Sequence, residues 1–141
     1  MQIKFLKLNK DVKILSYAHP NDAGMDMFSV ESKILQPFER YAFATGFALE
    51  LPEDYVSLIW DKSGLAIKEG IHCLGGVIDA GYRGEYKVIL INLSNKTYEI
   101  NKGDKLAQLL IQPIITANIV EVKKLTKTSR GIGGFGSTGR R

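Results

Sequence analysis

The chain has one cysteine, Cys73, so no disulfide can form within it, and two histidines in 141 residues leave no Cys/His pairs at zinc-ligand spacing. His19 stands alone. His72 and Cys73 are adjacent and point to opposite faces of a strand, a poor geometry for a nucleophile and its base. No apolar run is long enough to cross a bilayer, and Met1-Gln2-Ile3-Lys4 does not open a signal peptide; no membrane partner is expected, and the cytoplasm is the expected compartment. The sequons Asn92-Leu93-Ser94 and Asn95-Lys96-Thr97 then carry no glycan. A Walker A loop is missing, as is any internal repeat. Helical periodicity is scarce as well: only Gly64 to Glu69 reads as helix, for about two turns before Gly70 ends it.

What is present is β-structure. Apolar residues at 45% and charged residues at 24% are those of a soluble globular protein, and the length suits one domain with a real core. Residues 2–8 place Ile3 and Phe5 on one face. Strand-like runs follow at 25–30, 33–36, 40–49, 55–60, 86–93, 97–100, 106–115 and 119–125, separated by turn residues such as Gln36-Pro37, Pro52-Glu53-Asp54 and Asn101-Lys102-Gly103-Asp104. The fold class expected is all-β, a sandwich or barrel with one short helix. The last twelve residues, 130–141, contain five glycines and little that packs a core, so a flexible arm is expected there. The net charge of +4 suits an anionic ligand such as a nucleotide without demanding a nucleic acid.

The central stretch is Gly75-Gly76-Val77-Ile78-Asp79-Ala80-Gly81-Tyr82-Arg83-Gly84-Glu85, leading into the β-rich run 86–92. It reads as a β-hairpin whose tip carries a carboxylate, an aromatic ring and glycines that let backbone groups approach a flat ligand. Asp79 is then a candidate base; an Asp that merely caps a tight turn is the competing reading. In Asp61-Lys62-Ser63-Gly64-Leu65-Ala66, a cation, a hydroxyl and free N–H groups at a helix start suit a phosphate, and a Ser N-cap on a surface helix is the alternative. Gln108 is the one polar residue inside the apolar run 106–111, either a ligand contact or a structural amide. Asp26, beside Gly24, suits a hydrated divalent ion or simply faces solvent. The arm matches Gly-x-Gly-x-x-Gly at 131–136, but no strand and helix flank it, so it is no dinucleotide fingerprint. Arg130, glycine N–H groups, Ser137 and Thr138 suit phosphates, and Phe135 suits stacking on a base.

Taken as an ordered set, five stretches resemble the trimeric dUTPase family: Ala23-Gly24-Met25-Asp26, Lys62-Ser63-Gly64-Leu65-Ala66, residues 76–85, Gly103-Asp104-Lys105-Leu106-Ala107-Gln108, and residues 130–139. The resemblance implies a jelly-roll-like β subunit over residues 1–125 and an arm, 126–141, that closes over an active site shared between subunits of a homotrimer. It implies Mg²⁺-dependent hydrolysis of dUTP to dUMP and pyrophosphate, which keeps uracil out of DNA and supplies dUMP for dTMP synthesis. Asp79 would activate water for attack at the α-phosphorus, and Tyr82 would pack against deoxyribose. Gly76, Val77 and Ile78 would meet the uracil edge. Lys62, Ser63, Gly64 and Gln108 would hold phosphates, Asp26 would reach Mg²⁺ through water, and Lys87 would contact substrate. Phe135 would cover the base while Arg130, Gly136, Ser137 and Thr138 grip the phosphate chain.

One departure stands out. The family's second motif carries arginine where this chain has Lys62, preceded by Asp61, and lysine lacks the planar bidentate grip. Two rivals differ in their products: a dCTP deaminase shares the β fold but needs a catalytic Glu and releases ammonia, whereas RNA binding through the Gly/Arg arm predicts strong salt dependence and no pyrophosphate. No stable nucleic-acid partner is expected.

Overall fold

A computed structural model describes residues 1–135 and 137. Among them eleven strands and one helix follow in order: β1 (Lys4–Lys7), β2 (Met25–Phe28), β3 (Lys33–Leu35), β4 (Arg40–Ala44), β5 (Phe47–Glu50), β6 (Tyr55–Trp60), α1 (Ser63–Glu69), β7 (Ile71–Leu74), β8 (Val77–Asp79), β9 (Lys87–Asn92), β10 (Tyr98–Ile100) and β11 (Lys105–Pro113). All pairings are antiparallel. A four-stranded sheet runs β2-β11-β6-β8 and a three-stranded sheet β4-β9-β7, with the pairs β1-β5 and β10-β3 completing the jelly-roll-like body.

Alternation builds the core. In β9, Val88, Leu90 and Asn92 are buried while Lys87 and Ile89 face outward; in β2, Met25 and Met27 point inward. These residues pack with Phe43 of β4, Phe47 of β5, Ile59 of β6 and Leu109 of β11 in one cluster. Asn92 is tolerated there because its amide donates to the carbonyls of Leu35 and Lys96 and its oxygen accepts from Ser94. Its burial also removes the first sequon from reach.

Two strand expectations need correction. The run 40–49 is not one strand, because the chain bends at Thr45-Gly46, where Gly46 has φ of 72° and donates its N–H to Glu85 Oε1 at 2.8 Å. The hairpin expected around Asp79 is not a paired hairpin either. The partners of β9 are β4 and β7, with Cys73 of β7 opposite Leu90, while β8 crosses to pair with β6, with Ser57 opposite Ile78. Gly75 and Gly76, at φ of 69° and 94°, turn the chain out of one sheet and into the other. A third expectation, a strand at 119–125, is not met: β11 ends at Pro113 and residues 114–125 form neither helix nor strand. Ile115 and Ile119 are 95% and 87% exposed. That segment has the composition of a strand but no free edge of its own chain beside it.

Candidate active site

Nine of the residues singled out in the sequence line two clefts, while Ser63 and Gly64 at the start of α1 line neither. The first, of about 360 Å³, is lined by Gly76, Val77, Ile78, Asp79, Tyr82, Glu85 and Lys87, with Ile59, Leu74, Ala42 and Ile89 as its apolar wall. Strand β8 is the last strand of its sheet, paired with β6 along one side only. Among the described residues its other side has no strand partner, so N–H and C=O groups are left to face a ligand. Gly76 is obligatory at the entry: a Cβ there would sit 2.7 Å from the backbone oxygen of Ile59, whose N–H bonds back to the Gly76 carbonyl at 2.8 Å.

Tyr82 is held rigidly. Its N–H closes a turn onto the Asp79 carbonyl at 3.1 Å, and its hydroxyl donates to the Glu85 carbonyl, also at 3.1 Å. The ring lies over Gly84, where any Cβ would collide with it, and 6.1 Å from Tyr86. Tyr86 in turn stacks on Phe47 at 5.4 Å, and Phe47 on Phe5 at 5.0 Å, so a row of aromatic rings anchors Tyr82 to the core. Burial holds the Tyr86 phenol above its ordinary value. Its hydroxyl shares a hydrogen bond with Ser57 Oγ at 2.9 Å, and Ser57 donates to the Ile78 carbonyl at 3.2 Å. The backbone of β8 is therefore fixed from behind by side chains that never reach the cleft.

The second cleft, of about 320 Å³, is lined by Ala18, His19, Asp22, Ala23, Gly24, Asp26, Lys62, Lys105 and Gln108. Pairing of β2 with β11 sets Asp26 opposite Gln108. Asp26 Oδ1 lies 2.5 Å from Lys62 Nζ and Oδ2 lies 2.6 Å from Lys105 Nζ. Burial alone would raise this carboxyl, but the hydrogen bonds and charges of Lys105 and Lys62 outweigh it and hold the group below its ordinary value. Gln108 donates from Nε2 to the Asp61 carbonyl at 2.9 Å, leaving its second N–H uncommitted to that bond. No group of three or more His, Cys, Asp or Glu side chains suited to a metal occurs among the described residues. Both Asp26 oxygens already hold a lysine ammonium, so this carboxylate would meet a cation such as Mg²⁺ only through the ion's water shell, with the other ligands drawn from elsewhere.

The structure separates the three acids sharply. Asp26 and Asp61 are each engaged by cationic or N–H partners, whereas the exposed Asp79 carboxylate has no hydrogen-bond or ion-pair partner among the described residues. Ser63 does not act as the N-cap of α1; that position is Lys62, without a side-chain cap. Sequence reasoning missed Lys105, which the β2–β11 register brings to Asp26, and Asp61, whose partners lie on β7. Lys105 lies inside the fourth motif stretch, but only the strand register shows where its side chain goes. Of the arm residues, Arg130 bonds to the Gly133 carbonyl at 3.0 Å and Phe135 is fully exposed; neither they nor Ser137 line either cleft. Gly136 and Thr138 lie outside the described residues.

The dUTPase family model matches residues 10–139. The chain belongs to the dUTPase family. It is 51% identical to the deoxyuridine 5'-triphosphate nucleotidohydrolase of Clostridium tetani, over 99% of this chain and 97% of that protein. It is 46% identical to the enzyme of the same name from Nautilia profundicola, over 99% and 100%. Among solved structures it superimposes with a TM-score of 0.92 on the dUTPase of Staphylococcus bacteriophage 80alpha bound to dUpNHpp, at 30% identity over 98% of each chain. A dUTPase of phage phi11 of S. aureus, described with a structural Mg(II) ion, matches with a TM-score of 0.84 at 30% identity, over 90% of this chain and 100% of that one. The two clefts thus belong to a family whose member from phage 80alpha was solved with a nucleotide bound.

Proposed function

We propose that this dUTP nucleotidohydrolase cleaves dUTP to dUMP and pyrophosphate by water attack at the α-phosphorus, with Asp79 as general base. The observation that carries this reading is the state of the site's acids: among the described residues Asp79 alone keeps a free carboxylate in a cleft, beside an unpaired strand edge and a fixed aromatic ring. The β8 backbone from Gly76 to Ile78 reads the pyrimidine. A fixed N–H accepts uracil O4 as a partner but opposes cytosine's N4 donor, leaving two buried donors face to face. Tyr82 packs against deoxyribose, where its anchored ring leaves no room for a 2′-hydroxyl. Lys87, at the start of β9, lines the same cleft and contacts the substrate there.

Lys62, Ser63, Gly64 and Gln108 hold the phosphate chain, and Asp26 reaches Mg²⁺ through a water. When bound, the ion neutralises charge on the phosphate oxygens. The body, 1–125, and the arm, 126–141, divide the work: Phe135 covers the base while Arg130, Gly136, Ser137 and Thr138 close on the phosphates and exclude water.

The distance between the clefts supports a site shared between subunits, which we assign to a homotrimer. Asp79 pairs with Val56 on β6, while Gln108 of β11 pairs with Trp60, four residues along the same strand. Four residues span about 13 Å and two strand spacings about 10 Å, so the two Cα atoms are roughly 16 Å apart. The clefts share no lining residue, and the site is complete only when a second subunit brings its phosphate cleft to the first subunit's Asp79. The exposed isoleucines of residues 114–125 supply apolar surface for such packing. The reaction keeps uracil out of DNA and provides dUMP for dTMP synthesis, in the cytoplasm.

Pyrophosphate release from dUTP, dTTP, dCTP and UTP tests the reading. Only dUTP should be cleaved efficiently, and Asp79→Asn should lower kcat by about 10²–10⁴-fold, the range for removing a general base. A variant that turns over at the wild-type rate refutes the assignment.

A further inference from the structure

The corner between β6 and α1 has an unusual construction. It carries Lys62 into the phosphate cleft, yet the helix it opens has no side-chain cap. What holds the corner is Asp61. Its Oδ1 accepts the Cys73 N–H at 2.6 Å and its Oδ2 lies 2.6 Å from His72 Nδ1, tying the corner to β7. Its own carbonyl accepts Gln108 Nε2 from β11 at 2.9 Å. One residue therefore links three elements, and two of its neighbours in this network, Lys62 and Gln108, face the phosphate cleft.

We propose that Asp61 is a positioning residue for triphosphate recognition: by clamping the β6–α1 corner to β7 it sets the Lys62 ammonium and the Gln108 amide where the phosphate chain needs them. The inference rests on the phosphate roles given to Lys62 and Gln108 above. It also gives a physical sense to the sequence Asp61-Lys62. An arginine at position 62 would define its own geometry through a planar fork, whereas a lysine is a flexible point charge that needs its backbone fixed. Partial burial works against the Asp61 charge, but the bonds from His72 and Cys73 outweigh it and keep the group ionised below the usual carboxylate range. Burial, together with the bond and charge of Asp61, pushes the Cys73 thiol up to about 12, so the thiol stays protonated beside the carboxylate rather than opposing it.

The test compares two ligands of the full-length chain. Deoxyuridine reports on the nucleoside cleft alone; dUpNHpp reports on both clefts. Asp61→Ala should weaken dUpNHpp and raise the KM for dUTP by about tenfold, the scale of one charge-assisted hydrogen bond, while deoxyuridine inhibition stays at the wild-type value. Asp61→Asn, which keeps an acceptor for the Cys73 N–H but gives up the charge beside His72, should show a smaller, severalfold weakening confined to dUpNHpp, and decides the matter if the alanine variant does not fold. Equal weakening of both ligands in either folded variant, or no weakening of dUpNHpp, overturns the inference. A wild-type chain that releases no pyrophosphate from dUTP sinks the underlying reading instead, and this one with it.

Discussion

Adding one methyl group at Gly24 separates recognition of the phosphates from recognition of the base. A Cβ at that position would lie 2.5 Å from Gln108 Oε1, 3.0 Å from its Cβ and 3.1 Å from its Cδ, all atoms of one side chain. Gly24 does not have a positive φ, so alanine is not strained by its backbone, and the far end of Gln108 is free to swing away. The fold should then lose about 1 kcal/mol, the worth of the 2.9 Å bond from Gln108 to the Asp61 carbonyl. The larger cost falls on the substrate. A glutamine turned out of the cleft gives up a hydrogen bond to an ionised phosphate, worth about 1.5–3 kcal/mol, or about 10–150-fold in kcat/KM. Steady-state pyrophosphate release, competitive inhibition by deoxyuridine and thermal unfolding read the three quantities separately. In Gly24→Ala, kcat/KM for dUTP should fall within that range while deoxyuridine inhibition is retained and the unfolding midpoint drops by only about 2–8 °C. Wild-type kcat/KM, or loss of deoxyuridine inhibition in parallel with dUTP turnover, refutes the assignment of Gln108 to the phosphates.

Three further outcomes are expected. Lys62→Arg should raise kcat/KM for dUTP severalfold by restoring a bidentate grip; an unchanged or lower value counts against the view that lysine weakens phosphate binding here. Ending the chain before Arg130 should cost most of the turnover while deoxyuridine still inhibits, and a truncated chain of full activity removes the arm from the mechanism. Asp26 and Asp61 both have carboxyls held below the ordinary 3.8, so their contribution to stability is complete above that pH and is lost as pH falls through the lower folded-state values. Urea midpoints measured from neutral pH downward should drop below that value in the wild type and less steeply in Asp26→Asn/Asp61→Asn; identical acid profiles would exclude both ion networks as the source.

Local grammar made most of the elements legible. The helix start, its stop at Gly70 and nearly every strand follow from periodicity and turn residues, because those signals lie within a few positions of what they determine. The errors have a shared cause. Glycines 75 and 76 look like the tip of a tight hairpin, and nothing nearby says that β8 will leave β9 for β6; that choice is decided by Ile59, some seventeen positions earlier. Lys105 and Asp61 were passed over for the same reason, since their partners, Asp26 and the β7 residues, are joined to them only by sheet register. Asp79, Tyr82 and Gln108, which line the clefts, stand out in the sequence because an acid, a ring or an amide out of place in its local pattern is visible without knowing the fold.

Strand β6 accounts for the division of the site. It is the inner neighbour of β8, and the Val56 to Leu58 half of it sets the height of the base-reading edge. Its other end, Trp60, runs directly into Asp61 and Lys62 and so fixes the phosphate corner. The Asp61 clamp to β7 and the Gly76 contact with Ile59 both fix the Trp60 end of β6, the end that runs into Lys62. In the homotrimer proposed above, the phosphate end of one β6 approaches the base end of the next, and a closed ring of identical contacts completes every site at once.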